Sequence, residues 1–294
     1  MKKTAYLLGA AALGLSLFVT GGCHVNRRQR AEAKQKELNA ANSDQEFTAK
    51  QEVRQSYKLA PGTKVDVSGI NGLLQIETSE TDTAEIHLVR SARNDADFNE
   101  RTVVLEQKGN SLVVRIRNNR ERSFWAMLGS RHPERQQAYL KLPRQIDLDV
   151  SGINGKTEIG EIGGRVELSG MNGPIKVARA TGGFDLSGAN GNIEVTLAQL
   201  TKGVEVRGVN GSLDLRFVGE VNADVEVHGV NGNINPELPN LSVKEQKRGR
   251  LEARIGKGGT AIEVSGVNGN INFLPATGAQ TAKTAAGSDA TATK

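Results

Sequence analysis

The chain reads as an all-β protein whose strands wind into a β-solenoid with coils of 18–21 residues. Three observations predict this. A Gly-apolar-Asn-Gly phrase recurs seven times. Apolar and polar residues alternate on both sides of each copy, as half-buried strands require. Aromatic residues make up only 4% of the 294, while glycine numbers 34, which suits a thin aliphatic core with many tight corners. The composition also excludes several classes. A net charge of +5 over this length is not the footprint of a nucleic-acid binder. A single cysteine rules out an internal disulfide and any cysteine-based structural zinc site. The histidines, at positions 24, 87, 132 and 228, show no metal-binding or triad spacing.

From the N-terminus, Lys2 and Lys3 precede an apolar run from Ala5 to Val19, followed by Thr20-Gly21-Gly22-Cys23. A charged start, an apolar stretch shorter than the ~20 residues that span a bilayer, and small residues before a cut describe a secretory signal over residues 1–22. The lone cysteine sits at the cut, and the segment resembles the bacterial lipoprotein signal, with Thr20 where that signal usually carries Leu. The resemblance implies that Cys23 is acylated and becomes the mature N-terminus. With His24 rather than Asp next, it also implies sorting to the outer membrane. Each acyl CH₂ buried in lipid contributes about 0.8 kcal/mol, so several chains make a durable anchor. Residues 23–60 are polar, rich in Ala, Gln, Glu and Lys, and carry no apolar stripe, so they read as a tether. Residues 275–294 are of low complexity and read as a disordered tail.

Between tether and tail, residues 61–274 hold the repeats. Their asparagines are Asn71, Asn154, Asn172, Asn190, Asn210, Asn231 and Asn268, at steps of 83, 18, 18, 20, 21 and 37. The last step is close to two repeats and the first to four. Two architectures fit. Asn-Gly between alternating runs is a strong hairpin signal, which would give an antiparallel meander. It also suits a solenoid corner, because Asn tolerates left-handed φ and Gly needs no side-chain room. Pro174 favours the solenoid, since the residue after Asn-Gly in a two-residue hairpin must donate an N–H that proline lacks. In a solenoid, like residues stack at ~4.8 Å and the asparagines can form an amide ladder. The residues between Gly and Asn (Ile70, Ile153, Met171, Ala189, Val209, Val230 and Val267) are all apolar, as an inward lane requires.

Residues 149–235 hold the regular coils, and residues 73–148 are less regular. Strand-like runs there cover Ala84–Val89, Thr102–Leu105, Leu112–Ile116 and Ala138–Leu142, and Lys108-Gly109-Asn110 reads as a hairpin turn. This part is suited to cap one end of the stack, where unpaired strand edges would otherwise be exposed. Residues 236–274 read as modified coils, with a loop-like stretch from Pro236 to Gly259.

With Gly69-Ile70-Asn71, Gly152-Ile153-Asn154, Leu140-Lys141-Leu142-Pro143 and Ile255-Gly256-Lys257-Gly258-Gly259 in view, residues 61–274 resemble the bacterial "putative adhesin" β-strand-repeat domains of unknown function, relatives of the head GIN domain. The resemblance implies a right-handed, single-stranded β-helix at the cell envelope.

Two surfaces are candidates for function. The first is the acid of the repeat: Asp66, Asp149, Glu167, Asp185, Glu205, Glu226 and Glu263. Stacked in water at ~4.8 Å, neighbouring carboxylates repel by roughly 0.9 kcal/mol per pair. Such a stripe suits a polysaccharide or a cation such as Ca²⁺, which favours carboxylate oxygens; the plainer reading is a solvated face copied by duplication. The second holds Arg122, Phe124, Trp125 and Arg131, a basic stretch with the only tryptophan. It suits a partner protein, an anionic glycan or lipid headgroups, or else folds back over one end of the stack.

The sequence therefore points to a non-enzymatic, secreted cell-envelope lipoprotein, bound to the membrane through its lipid and presenting an adhesin-like face to a polysaccharide or an envelope protein. No cofactor or nucleic acid is expected. A polysaccharide-cleaving β-helix is the alternative, since that scaffold hosts lyases and hydrolases that use two or three close acids in a cleft. An envelope-assembly or stress-sensing partner is a third reading.

Overall fold

The computed structural model describes residues 47–119 and 134–276. These belong to the second of the two units into which the chain divides, at residue 47. The predicted signal peptide, Cys23 and the segment holding Arg122, Phe124, Trp125 and Arg131 lie outside the described residues.

Strands β1 (Ala49–Lys58), β2 (Thr63–Ser68), β3 (Gly72–Ser79) and β4 (Thr83–Ala92) lead to a 3-10 segment at Asp95–Glu100. Next come β5 (Arg101–Lys108), β6 (Ser111–Asn118) and β7 (Arg135–Pro143). A regular series follows: β8 (Ile146–Ser151), β9 (Thr157–Ile162), β10 (Arg165–Asn172), β11 (Ile175–Ala180), β12 (Gly183–Asn190), β13 (Ile193–Ala198), β14 (Val204–Asn210) and β15 (Leu213–Val218). The chain then forms β16 (Ala223–His228), β17 (Ile234–Pro236), β18 (Leu241–Lys247), β19 (Arg250–Ile255), β20 (Thr260–Asn268) and β21 (Ile271–Pro275).

The fold is all-β, in two large sheets. The first runs β1-β4-β7-β3-β9-β11-β13-β15-β21-β17, and the second β18-β19-β16-β20-β14-β12-β10-β8-β2-β6-β5. From β8 to β15 the chain alternates between them, and each strand pairs in parallel with the strand two places on. The register puts Asn172 beside Asn190 and Asn190 beside Asn210, so equivalent residues of successive coils lie in columns. Asn-Gly is therefore a corner between sheets and not a hairpin.

Alternation within each strand fills the space between the sheets. In one coil Val166, Leu168, Met171, Ile175 and Val177 point inward, and in the next Phe184, Leu186, Ala189, Ile193 and Val195 take their places, all buried. Each such aliphatic contributes roughly 1.5–3 kcal/mol by leaving water.

The ends depart from the sequential stack. At the C-terminal end the last coil, β20–β21, is inserted between β14–β15 and β16–β17: β20 pairs in parallel with both β14 and β16, and β21 with both β15 and β17. The 37-residue step thus does not place Asn268 two coils beyond Asn231. It places Asn268 between Asn210 and Asn231. The residues expected to form a modified coil before it, β18 and β19, make an antiparallel hairpin that covers β16. Its turn passes through Gly249 at φ +71°, a conformation open to glycine.

The N-terminal end is built the same way. The pair β6 and β7 stacks in parallel on β2 and β3, although β4 and β5 precede it in the chain. Strand β4 then pairs antiparallel with β7, β5 with β6, and β1 with β4. Residues 49–58, which composition assigns to the tether, are therefore strand β1. Its Val53 and Tyr57 pack against the core while Glu52, Arg54 and Ser56 stay exposed, an alternation visible over too few apolar residues to override its polar character. Inside this end the core becomes polar. Arg90, 3% exposed, donates from Nε to Glu134 Oε1 at 2.6 Å and from Nη2 to the carbonyls of Phe98 and Arg101. Gln136 donates to Glu134 Oε1 at 3.0 Å and accepts from the Asn71 N–H at 2.7 Å.

The outermost strands suit an edge. β1 is studded with charge, β17 is three residues long and ends in proline, and β18 exposes Lys244, Gln246 and Lys247. On β1, Glu52 accepts hydrogen bonds from Lys50, His87 and Arg54, which hold its carboxyl at about 2, below its usual 4.5. A carboxylate whose pKa is depressed by folding favours the fold above its ordinary value, and the contribution is lost as pH falls toward the depressed one. The Glu52 carboxyl resonance should titrate near pH 2, and amide protection along β1, relative to the intrinsic exchange rate at each pH, should fall between pH 4.5 and 2. A midpoint near 4.5 would contradict these contacts. A second measurement addresses the corners. Gly191 sits at φ +146°, and a Cβ there would overlap the Gly173 carbonyl oxygen, whereas Gly62 at φ +77° has nothing within 4 Å. Gly191→Ala should cost about 3 kcal/mol or more and Gly62→Ala about 1 kcal/mol, read as separate shifts in denaturant midpoint; equal shifts would show that the corners are not closed to a side chain.

Candidate functional site

Each corner is built by four residues with distinct tasks. The first glycine, such as Gly170 at φ +59° or Gly188 at φ +63°, takes a left-handed conformation two residues before the strand of the second sheet ends. The apolar residue then faces inward: Ile70, Ile153, Met171, Ala189, Val209, Val230 and Val267 are all buried. The asparagine points out, and the second glycine lies against the carbonyl of the glycine in the adjoining coil.

The asparagines form a continuous column in spatial, not chain, order. Asn231 donates from Nδ2 to Oδ1 of Asn268 at 3.1 Å, and Asn268 to Asn210 at 3.2 Å. Asn210 donates to Asn190 at 3.4 Å, Asn190 to Asn172 at 3.2 Å, Asn172 to Asn154 at 2.9 Å and Asn154 to Asn71 at 2.9 Å. Asn71 closes the series on the Glu134 carbonyl at 3.4 Å. Every amide in the interior of the column gives one bond and receives one in the same sense, so the dipoles reinforce.

The acids of the repeat share one lane on the outer face of the second sheet. Pairing sets Asp66 beside Asp149, Asp149 beside Glu167, Glu167 beside Asp185 and Asp185 beside Glu205. Glu205 lies beside Glu263, and Glu263 beside Glu226. The antiparallel hairpin then extends the lane through Glu252 and Glu245. These two were not found from the sequence because the hairpin has no Asn-Gly phrase to align it; only its alternation, Leu251-Glu252-Ala253, hinted at a strand with an outward acid.

Cations answer the lane. Arg115 reaches Asp66 at 3.2 Å, Lys64 reaches Asp149 at 3.0 Å, and Arg165 bridges Glu167 and Asp185 at 2.9 and 2.6 Å. Arg207 pairs with Glu205, Lys247 with Glu245, Lys244 with Glu252 at 3.2 Å and Arg250 with Glu226 at 3.9 Å. The hydrogen bond from Lys64 to Asp149 raises the lysine pKa, and that from Arg165 to Asp185 raises the arginine's. Exposed pairs of this kind contribute only a few tenths of a kcal/mol each. Their effect is to cancel the repulsion of a single-sign column. All the acids of the lane except Glu263 are therefore ion-paired, and among the described residues no three His, Cys, Asp or Glu side chains converge to hold a metal ion.

No curated protein matches this chain in sequence. Among solved structures, a "putative cell adhesion protein" from Clostridium sporogenes is 15% identical and aligns over 76% of this chain and 100% of its own, with a TM-score of 0.42. A "putative adhesin" from Bacteroides fragilis is 14% identical over 77% and 98%, with a TM-score of 0.33. A "putative lipid binding protein" from Parabacteroides distasonis is 10% identical over 78% and 97%, with a TM-score of 0.30.

Removing one amide from the interior of the column breaks two hydrogen bonds and returns a donor and an acceptor to water, whereas removing the first donor breaks one. Asn190→Ala should therefore cost about 1 kcal/mol and Asn231→Ala about half as much, in equilibrium unfolding; equal costs would argue that the bonds of the column do not contribute to stability. Residues 164–273, the stretch from β10 to Phe273 that carries five of the seven asparagines, match the family model of the Toastrack DUF4097 domain.

Proposed function

We propose that this protein is a non-enzymatic lipoprotein of the cell envelope, held at the outer membrane through acylated Cys23, whose right-handed β-solenoid offers its outer face to an envelope polysaccharide. The observation that carries this reading is the ion-paired lane on the second sheet, running in register from Asp66 to Glu245. A surface that repeats a carboxylate on every strand, with cations interspersed among them, suits a ligand that is itself a repeating polymer. Carboxylates and cations standing side by side can each exchange a neighbour for a sugar hydroxyl or a polymer charge. Because parallel coils repeat every ~4.8 Å, the match extends over many weak contacts and not one deep pocket. The right-handed sense is that of nearly all parallel strand connections. The Arg122, Phe124, Trp125 and Arg131 segment supplies a further basic and aromatic surface for an envelope partner. Calcium would serve here as a bridge between lane and polymer, not as a resident cofactor.

Full-length protein incubated with a panel of anionic bacterial polysaccharides should bind at low salt, weaken as salt rises, and release no new reducing ends or unsaturated products. Arg165→Gln together with Lys64→Gln should reduce that binding at least fivefold. Cleavage that disappears on Asp185→Asn would replace this reading with the polysaccharide-cleaving one.

A further inference from the structure

The outer face of the first sheet carries its own lane, in register from Arg54 through His87, Tyr139, Gln75, Glu158, Lys176, Glu194 and Asp214. Along the regular coils this lane is charged. On β4 and β7 it becomes aromatic: the rings of His87 and Tyr139 lie stacked, 5.9 Å between centroids and 30° between planes, and both are half-buried. They line an open hollow of about 500 Å³, together with Arg54, Gln75, Glu85 and Lys141.

The polar rim of this hollow is unusual in what it leaves unused. Pairing places Lys141 directly between Glu85 and Glu77, yet among the described residues Lys141 makes no ion pair with either within 4.0 Å. Glu77 accepts instead from Gln75 at 3.0 Å. The charges at the rim balance, two carboxylates against Arg54 and Lys141, so the hollow favours neither an anion nor a cation. It offers the Tyr139 ring, with His87 stacked against it, beside donors and acceptors with spare capacity, in a volume within the range of small-molecule sites. A pyranose ring has the complementary chemistry: an apolar C–H face for the rings, and hydroxyls that each donate and accept at its edge.

We infer that this hollow is a saccharide subsite, binding one or two neutral sugar rings with a C–H face against Tyr139, which His87 braces from the neighbouring strand, and hydroxyls on Glu85, Lys141 and Gln75. The inference rests on the reading of the chain as a glycan-binding protein and adds a second place of contact, on the opposite sheet from the ion-paired lane.

The experiment titrates full-length protein with four neutral trisaccharides (maltotriose, cellotriose, xylotriose and triacetylchitotriose), followed by calorimetry and by the ring resonances of Tyr139 and His87. At least one should bind and move both sets of resonances. Tyr139→Ala should weaken it at least tenfold, Tyr139→Phe less than threefold, and Lys141→Met, an exposed position that does not bear on folding, at least threefold. Lys257→Gln, exposed in the turn after β19 and part of neither surface, should change nothing. Failure of all four sugars to bind, or binding unaltered by both Tyr139→Ala and Lys141→Met, overturns the subsite. If full-length protein binds the anionic polysaccharides but none of the trisaccharides, the subsite alone falls. If full-length protein binds neither the trisaccharides nor the polysaccharides, the broader reading falls with it.

Discussion

The close approach of one corner to the next is the constraint from which the structure follows. At the second glycine of each phrase, the neighbouring backbone carbonyl occupies the space a β-carbon would need. That contact fixes coil to coil in a single register, and the register fixes everything outward of it. Once Gly191 rests on Gly173, Asn190 lies over Asn172, Asp185 over Glu167 and Phe184 over Val166. The amide column is then a consequence of the corner and also a lock on it. A slip by one residue would break every bond in the column and turn the buried aliphatics toward water.

Such regularity has a cost that the ends must meet. A stack of parallel coils presents the same unpaired edge at its last coil as at every interior one, which invites further copies to add. Here both ends turn the pairing antiparallel, through β4 and β5 at one end and β19 at the other. At the N-terminal end the interior changes character as well. The Arg90–Glu134 ion pair and Gln136 take the place of aliphatic packing and receive the end of the amide column, so the last exposed groups of the repeat are bonded into the plug.

What could be read from the sequence was whatever the repeat encodes. The seven phrases gave the corners, and alternation around them gave the inward lane and the outward acids, because each coil meets the same surroundings. The choice between corner and hairpin turned on Pro174, whose missing N–H is a local fact. The order of the coils was not legible. Neighbouring coils are so alike that Asn231 and Asn268 could each be followed by the other at no local difference, and only the antiparallel hairpin between them decides. Nor was the aromatic pair, since His87 and Tyr139 are 52 positions apart and meet only because β4 crosses back over β7. Glu252 and Glu245 escaped for the same reason, being aligned with the acids by tertiary pairing alone.

The interleaving of β20–β21 bears on how the molecule is made. During synthesis every earlier strand emerges before the segment that belongs between β14 and β16, so a growing chain must either hold those two strands apart or join them wrongly. Correct assembly therefore depends on the final strands arriving before a false seam hardens. Until residues 260–275 are in place, β14–β15 and β16–β17 have no strand between them to pair with.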